Sequence, residues 1–148
     1  MMTLKHHESG RAWVAVVRAY NTCSKAIITR IEPTGFSLLE HEILINLLLS
    51  PGQSQQQLAM KCFSAKSGIS GIVSKFEDRG IITRKADEKD TRKKLLFLTE
   101  EGTELAKTNF KIQNEIIEAM ASVYTPEKIA DLEDGMNAMT ELLKDRYL

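Results

Sequence analysis

The sequence predicts a mainly α-helical fold with one small β-hairpin. Three observations carry this. Apolar residues recur at steps of three and four along most of the 148 residues, the period of helices with one buried face. Ser and Thr caps, with Pro and Gly stops, divide that pattern into six segments. Between the fourth and fifth segments, two short apolar runs, Ile81–Lys85 and Lys94–Leu98, flank a charged turn, which is the signature of a hairpin.

Residues 11–31 place Trp13, Val16, Val17, Tyr20, Ile27, Ile28 and Ile31 at helical spacing, and Pro33 and Gly35 end the segment. Ser37 and Glu40 have capping-box spacing and open a second helix from Leu38 to Leu49. Its apolar face is Leu39, Ile43, Leu44, Leu47 and Leu48, and Pro51-Gly52 stops it. Ser54 and Gln57 repeat the capping box before a third, short helix reaching to about Cys62. A fourth helix covers about Ala65 to Arg79, buries Ile69, Ile72, Val73 and Phe76, and stops at Gly80. Its other face is small and basic: Lys66, Ser67, Ser70, Gly71, Ser74 and Lys75. Ala65 stands at its cap position, so Ser64 or Ser67 is expected to cap it. The hairpin tip falls near Ala86–Lys93. Thr99 caps a fifth helix running to about Tyr124, with Glu100 and Glu101 complementing the helix dipole. Thr125-Pro126-Glu127 begins a sixth, on which Ile129, Leu132, Met136, Met139 and Leu143 form a packing seam.

Composition bounds the function. No apolar run approaches the roughly 18–20 residues of a membrane span; the longest, Ile43 to Leu49, contains Asn46. The N-terminus, MMTLKHHESGR, lacks the apolar core of a signal peptide. The chain is therefore expected to be cytoplasmic. The zero net charge conceals a segregation: residues 61–99 hold ten Lys and Arg against five Asp and Glu, and residues 100–148 hold five against eleven. A cationic middle suits a face presented to a polyanion. Cys23 and Cys62 are too few for a disulfide framework or zinc cluster. No metal or cofactor is expected. His6 and His7 are expected in a frayed terminus, and His41, between Glu40 and Glu42, makes no catalytic constellation because adjacent helical residues point apart. No phosphate loop, paired His/Glu metal motif or serine elbow occurs, so an enzyme is not expected.

Three short helices followed by a hairpin make a winged helix-turn-helix, with N- and C-terminal dimerisation helices around it. The third helix braces the fourth, and the fourth enters the major groove of double-stranded DNA. Ser54, Gln55 and Gln56 are the candidate phosphate contacts, Lys66, Ser67 and Ser70 the candidate base-edge contacts, and Lys75 a further phosphate contact. At the hairpin tip, Lys89, Arg92, Lys93 and Lys94 supply positive charge. Asp90, two residues before Arg92, can pin its guanidinium through paired hydrogen bonds, which suits insertion into a narrow minor groove. A winged-helix module that binds protein rather than DNA is the second reading; it has no need of cations on both the hairpin and the fourth helix.

These residues resemble the MarR family of bacterial transcription regulators. The resemblance rests on Leu58-Ala59, Ile69, Ile72-Val73, Phe76-Glu77, Gly80-Ile81 and Arg84, then Asp90-Thr91-Arg92 and Leu98-Thr99-Glu100-Glu101-Gly102. The Asp-x-Arg followed by Leu-Thr-x-x-Gly is its most specific part. Ala65, Gly71 and Thr91 depart from the family pattern, which bears on the operator sequence. The resemblance implies a single domain over residues 1–148, with a DNA-binding lobe at 37–99 and dimerisation helices at 11–32 and 103–148. It also implies a nucleoid-associated homodimer on a near-palindromic operator, acting as a repressor released by a small, often aromatic or anionic, effector. Trp13, Val17, Tyr20, Ser24 and His41 are the candidate effector-lining residues. Redox sensing through Cys23 or Cys62 is an alternative control, requiring a low-pKa, accessible thiol.

Overall fold

The computed structural model describes residues 4–148, with side chains from His7 onward. The elements are α1 (Leu4–Ile31), a 3-10 turn (Glu32–Thr34), α2 (Leu38–Leu49), α3 (Gln55–Lys61), α4 (Lys66–Asp78), β1 (Ile82–Ala86), β2 (Lys94–Leu98), α5 (Glu100–Ala121) and α6 (Pro126–Tyr147). The expected class, helical with one hairpin, is the one observed. Contacts divide the chain into two compact units, one ending at Gln113 and the other beginning at Asn114.

Both expected capping boxes form. The Ser37 amide donates to Glu40 Oε2 at 2.8 Å and the Glu40 amide to Ser37 Oγ at 3.2 Å. Ser54 and Gln57 repeat those bonds at 2.8 and 3.2 Å. Other expectations need correcting. α1 starts at Leu4 rather than residue 11, because Gly10 sits in open space and an isolated helical glycine costs only about 1 kcal/mol. His7 therefore belongs to a helix, not a frayed end; the side chain of His6 lies outside the described residues. β1 begins one residue late, since Ile82 pairs with Leu98 across the hairpin. α5 stops at Ala121, where the Tyr124 amide turns back to the Ala121 carbonyl at 3.0 Å. α4 has no side-chain cap: Ala65 cannot provide one, and neither Ser64 nor Ser67 replaces it with a side-chain hydrogen bond.

In the first unit, Ile43, Leu44 and Leu47 of α2, Leu58 of α3, Ile69, Val73 and Phe76 of α4, and Ile81 and Leu96 around the hairpin are almost wholly buried together. Phe36 meets Phe76 edge-on at 5.9 Å. The hairpin is anchored at its base by a third backbone segment. Gln53 bridges Leu96, with the Gly52 amide on the Leu96 carbonyl at 2.9 Å and the Leu96 amide on the Gln53 carbonyl at 2.8 Å. Gly52 has φ +79°, a left-handed conformation that favours glycine, and a Cβ there would press on the Phe97 ring at 3.1 Å.

The Leu-Thr-x-x-Gly run joins hairpin to α5. The Thr99 hydroxyl donates to the Gly80 carbonyl at 2.7 Å and accepts from the Gly102 amide at 3.0 Å, while the Thr99 amide donates to the Ile81 carbonyl at 3.0 Å. A Cβ on Gly102 would lie 2.0 Å from that Ile81 carbonyl oxygen. The threonine caps α5 and ties down the chain after α4, and the glycine admits the close approach.

In the second unit, α6 starts as its cap and proline predict, with the Lys128 amide on Thr125 Oγ1 at 3.4 Å. α6 buries no residue completely; Leu132, Met139 and Leu143 remain 41–50% exposed.

Candidate nucleic-acid interface

The amphipathic pattern of α4 sorts its side chains as expected. Ile69, Val73 and Phe76 are buried, and Lys66, Ser67, Ser70, Gly71 and Ser74 are exposed. Gly71 has no neighbour within 4 Å of the position a Cβ would take. The exposed face is thus low in relief with a cation at its N-terminal end, a shape that lets a helix approach a groove closely.

Lys75 is different. Its ammonium lies 2.5 Å from Glu40 Oε1, and Glu40 is almost wholly buried. Burial alone would raise the Glu40 carboxyl. Hydrogen bonds from Lys75 and from the Ser37 amide and hydroxyl outweigh that and hold it below the usual glutamate range. One carboxylate therefore closes the cap of α2 and ties α2 to α4. The Lys75 charge is partly committed inside the protein, which weakens its sequence assignment as a phosphate contact.

The tip is built by short-range bonds. The Asp87 amide donates to the Lys93 carbonyl at 3.0 Å and the Lys93 amide to the Asp90 carbonyl at 2.8 Å. The Lys89 amide donates to Asp87 Oδ1 at 2.8 Å. Asp90 accepts from Arg92 Nε at 3.0 Å and from Nη2 at 3.3 Å, and also from the Arg92 amide at 3.2 Å. The Arg92 side chain stays 90% exposed, and its hydrogen bonds hold the Asp90 carboxyl below the usual aspartate range. The guanidinium is thus oriented from one edge while remaining in solvent.

Ser54, Gln55 and Gln56 sit at the start of α3. Ser54 and Gln56 share a hollow with Asp87 and Lys93 of the tip. The first turn of α3 and one tip cation, far apart in sequence, are therefore neighbours in space.

These elements, in this order, also have counterparts in known proteins. A model of the MarR family matches residues 34–93. In this winged-helix region the chain is similar to the MarR family. It is 27% identical over 137 residues to the HTH-type transcriptional regulator MhqR of Bacillus subtilis (strain 168), covering 93% of this chain and 90% of that one. Its fold matches AbsC, a MarR family transcriptional regulator from Streptomyces coelicolor, with a TM-score of 0.81, 21% identity and 99% of each chain covered. It also matches CouR from Rhodococcus jostii RHA1 bound to p-coumaroyl-CoA, with a TM-score of 0.76, 22% identity, and 84% and 88% of the two chains covered.

Against this MarR fold, the five effector candidates separate. Trp13 and Tyr20 are more than 60% exposed on α1 and Val17 is partly exposed. Ser24 is half-buried. His41 is wholly buried, with Nδ1 3.0 Å from Asn109 Oδ1 and Nε2 2.9 Å from Gln113 Oε1. Asn109 Nδ2 donates to the Leu105 carbonyl at 2.9 Å, so its oxygen faces His41. A shallow hollow on α1 includes Val17 beside Arg18, Asn21 and Lys25, and none of the other four. The His41 bridge was missed in the sequence because nothing local in α2 signals partners 68 and 72 residues away. The ion pair of Arg84 with Glu77 at 2.7 Å was missed likewise, although both residues lie within the family-like run.

Cys62 is buried, and burial together with the nearby Glu42 pushes its thiol up to about 11. It stays protonated at neutral pH, the opposite of what thiolate chemistry needs. Cys23 is half-buried on α1. Among the described residues no group of His, Cys, Asp and Glu is arranged to hold a metal ion, and no helix is long and apolar enough to cross a membrane.

Proposed function

We propose that this protein is a double-stranded-DNA-binding transcriptional regulator, with α4 in the major groove and the tip arginine beside it in the minor groove. The observation that carries the reading is Arg92: a guanidinium held by Asp90 through two side-chain bonds yet 90% exposed. An arginine fixed in place and open to solvent, on a projecting hairpin with Lys89 and Lys93, is matched to the negative potential of a narrow groove. Lys66, Ser67 and Ser70 supply the base-facing side chains, and Ser54, Gln55 and Gln56 the phosphate contacts.

The active species is a homodimer on a near-palindromic operator. Exposed apolar side chains on α1 (Trp13, Tyr20, Ile28) and on α6 (Leu132, Met139, Leu143) support this, since a two-fold partner covers such faces and sets two recognition helices about 34 Å apart. The regulator acts as a repressor. A small aromatic or anionic effector releases it by favouring the spacing that does not bind, a reading supported by the structural likeness to CouR, itself bound to p-coumaroyl-CoA.

Fluorescence anisotropy with a labelled duplex tests the DNA reading. Affinity is expected to fall by a factor on the order of 10³ between about 50 and 200 mM salt, as several phosphate contacts require. Absence of binding in dilute buffer contradicts it. Titrating aromatic acids into the bound complex tests the effector: release is expected, and unchanged affinity across the series removes it.

A further inference from the structure

The turn between α3 and α4 carries a residue that neither packing nor backbone preference explains. α3 ends in a Schellman closure: the Phe63 amide donates to the Met60 carbonyl at 3.3 Å and the Ser64 amide to the Ala59 carbonyl at 3.0 Å. That closure puts the residue after the Cys62 cap in the left-handed region, and Phe63 has φ +48°, the one positive φ outside glycine among the described residues. Glycine is the usual occupant, because a Cβ there meets its own backbone. The ring gains nothing inside the fold in return, since Phe63 is 97% exposed. A strained backbone and a solvated aromatic ring at one position are two costs without a benefit in the free chain, and such strain persists where a site uses it.

The surroundings say what the ring meets. Phe63 lies three residues before the first residue of α4, and Lys61 and Lys66 on either side of it are both exposed. An apolar ring set between two cations is matched to a polyanion that also offers an apolar group. In the major groove of DNA that group is the thymine 5-methyl, which phenylalanine contacts readily. Cations two and three residues away disfavour an apolar protein surface as the occupant. We infer that Phe63 is a specificity-determining residue that packs on a thymine methyl at the edge of the α4 site. This rests on the DNA reading above, and it assigns a direct contact to a residue that no motif in the sequence marks.

The test uses the full chain and a duplex enriched by the wild-type protein from a random pool. Phe63→Gly removes the ring and relieves the backbone, so stability and binding should move in opposite directions. The melting temperature should rise by about 2–4 °C while duplex affinity falls about tenfold. The salt slope should stay unchanged, because no charge is lost. Replacing thymines of the enriched site by uracil, one at a time, deletes single methyl groups. At one thymine per half-site uracil should weaken the wild type several-fold and leave Phe63→Gly unaffected. Phe63→Gly binding within twofold of wild type, or no uracil position that distinguishes the two proteins, overturns the inference. Failure of the wild type to enrich any duplex would instead strike at the DNA reading beneath it.

Discussion

The winged lobe and the terminal helices solve the burial problem differently. Between Phe36 and Ala106 the chain closes one core: Ile43, Leu44, Leu58, Ile69, Val73, Phe76, Leu96 and Ala106 have essentially no exposed surface. α1 and α6 do not. Trp13, Tyr20, Leu132, Met139 and Leu143 stay 41–68% exposed, although their helical spacing is as regular as that of the lobe. Periodicity reports that a face is apolar; it does not report whether the covering partner is in the same chain. The winged region buries its apolar face within one chain and leaves cations such as Lys66 and Arg92 in solvent. The terminal helices keep apolar side chains in solvent, which is what the proposed two-fold partner would cover.

The strongest way to break the lobe is at its junction with α5. Gly102→Ala forces a Cβ to within 2.0 Å of the Ile81 carbonyl oxygen, and the backbone there is held by Thr99. A loss of about 3 kcal/mol is expected, read as a lower urea midpoint. Because alanine is the better helix former, an unchanged or higher midpoint contradicts this account of the motif.

Much of this was legible beforehand, and for local reasons. Ser37-Glu40, Ser54-Gln57 and Thr125-Pro126 are complete signals within four residues, and each forms as written. The Asp90–Arg92 pair was legible because both groups lie on one short turn. What was not legible is long in sequence or negative in kind. His41 meets Asn109 and Gln113 across 68 and 72 residues. Lys75 looked like one more surface cation until Glu40, 35 residues away, took it. The strain at Phe63 has no composition signal, because the residue that suits that backbone is the one missing.

The terminal helices are tested by placing charge on the exposed seam. Leu132→Asp with Met139→Asp is expected to weaken self-association by about 2–3 kcal/mol, read by sedimentation velocity, while the helical circular dichroism of the lobe persists. Unchanged association places the contact elsewhere.

A smaller effect is expected at Lys75. Lys75→Met leaves the buried Glu40 carboxylate without its cation and should cost about 1–2 kcal/mol at pH 7, discounted because Lys75 itself is half exposed. The folded Glu40 pKa lies below the ordinary 4.5. Its contribution is therefore complete above that value and disappears as pH falls through the folded one. The stability gap between wild type and variant should close in that acidic window; a gap that persists there rules out the ion pair as its source. Smallest in stability, yet large in binding, is Asp90→Asn. The melting temperature should hold while duplex affinity falls several-fold, since Arg92 loses a charged partner and its orientation. Equal affinity would show that the pairing has no bearing on recognition.

One measurement bears on both halves of the contrast: native mass spectrometry of the protein with an enriched duplex at low ionic strength. A winged region closed within one chain, with terminal helices covered by the proposed two-fold partner, predicts two chains of 16.7 kDa on each duplex, with no singly occupied species at substoichiometric protein. One chain per duplex, or none, contradicts it.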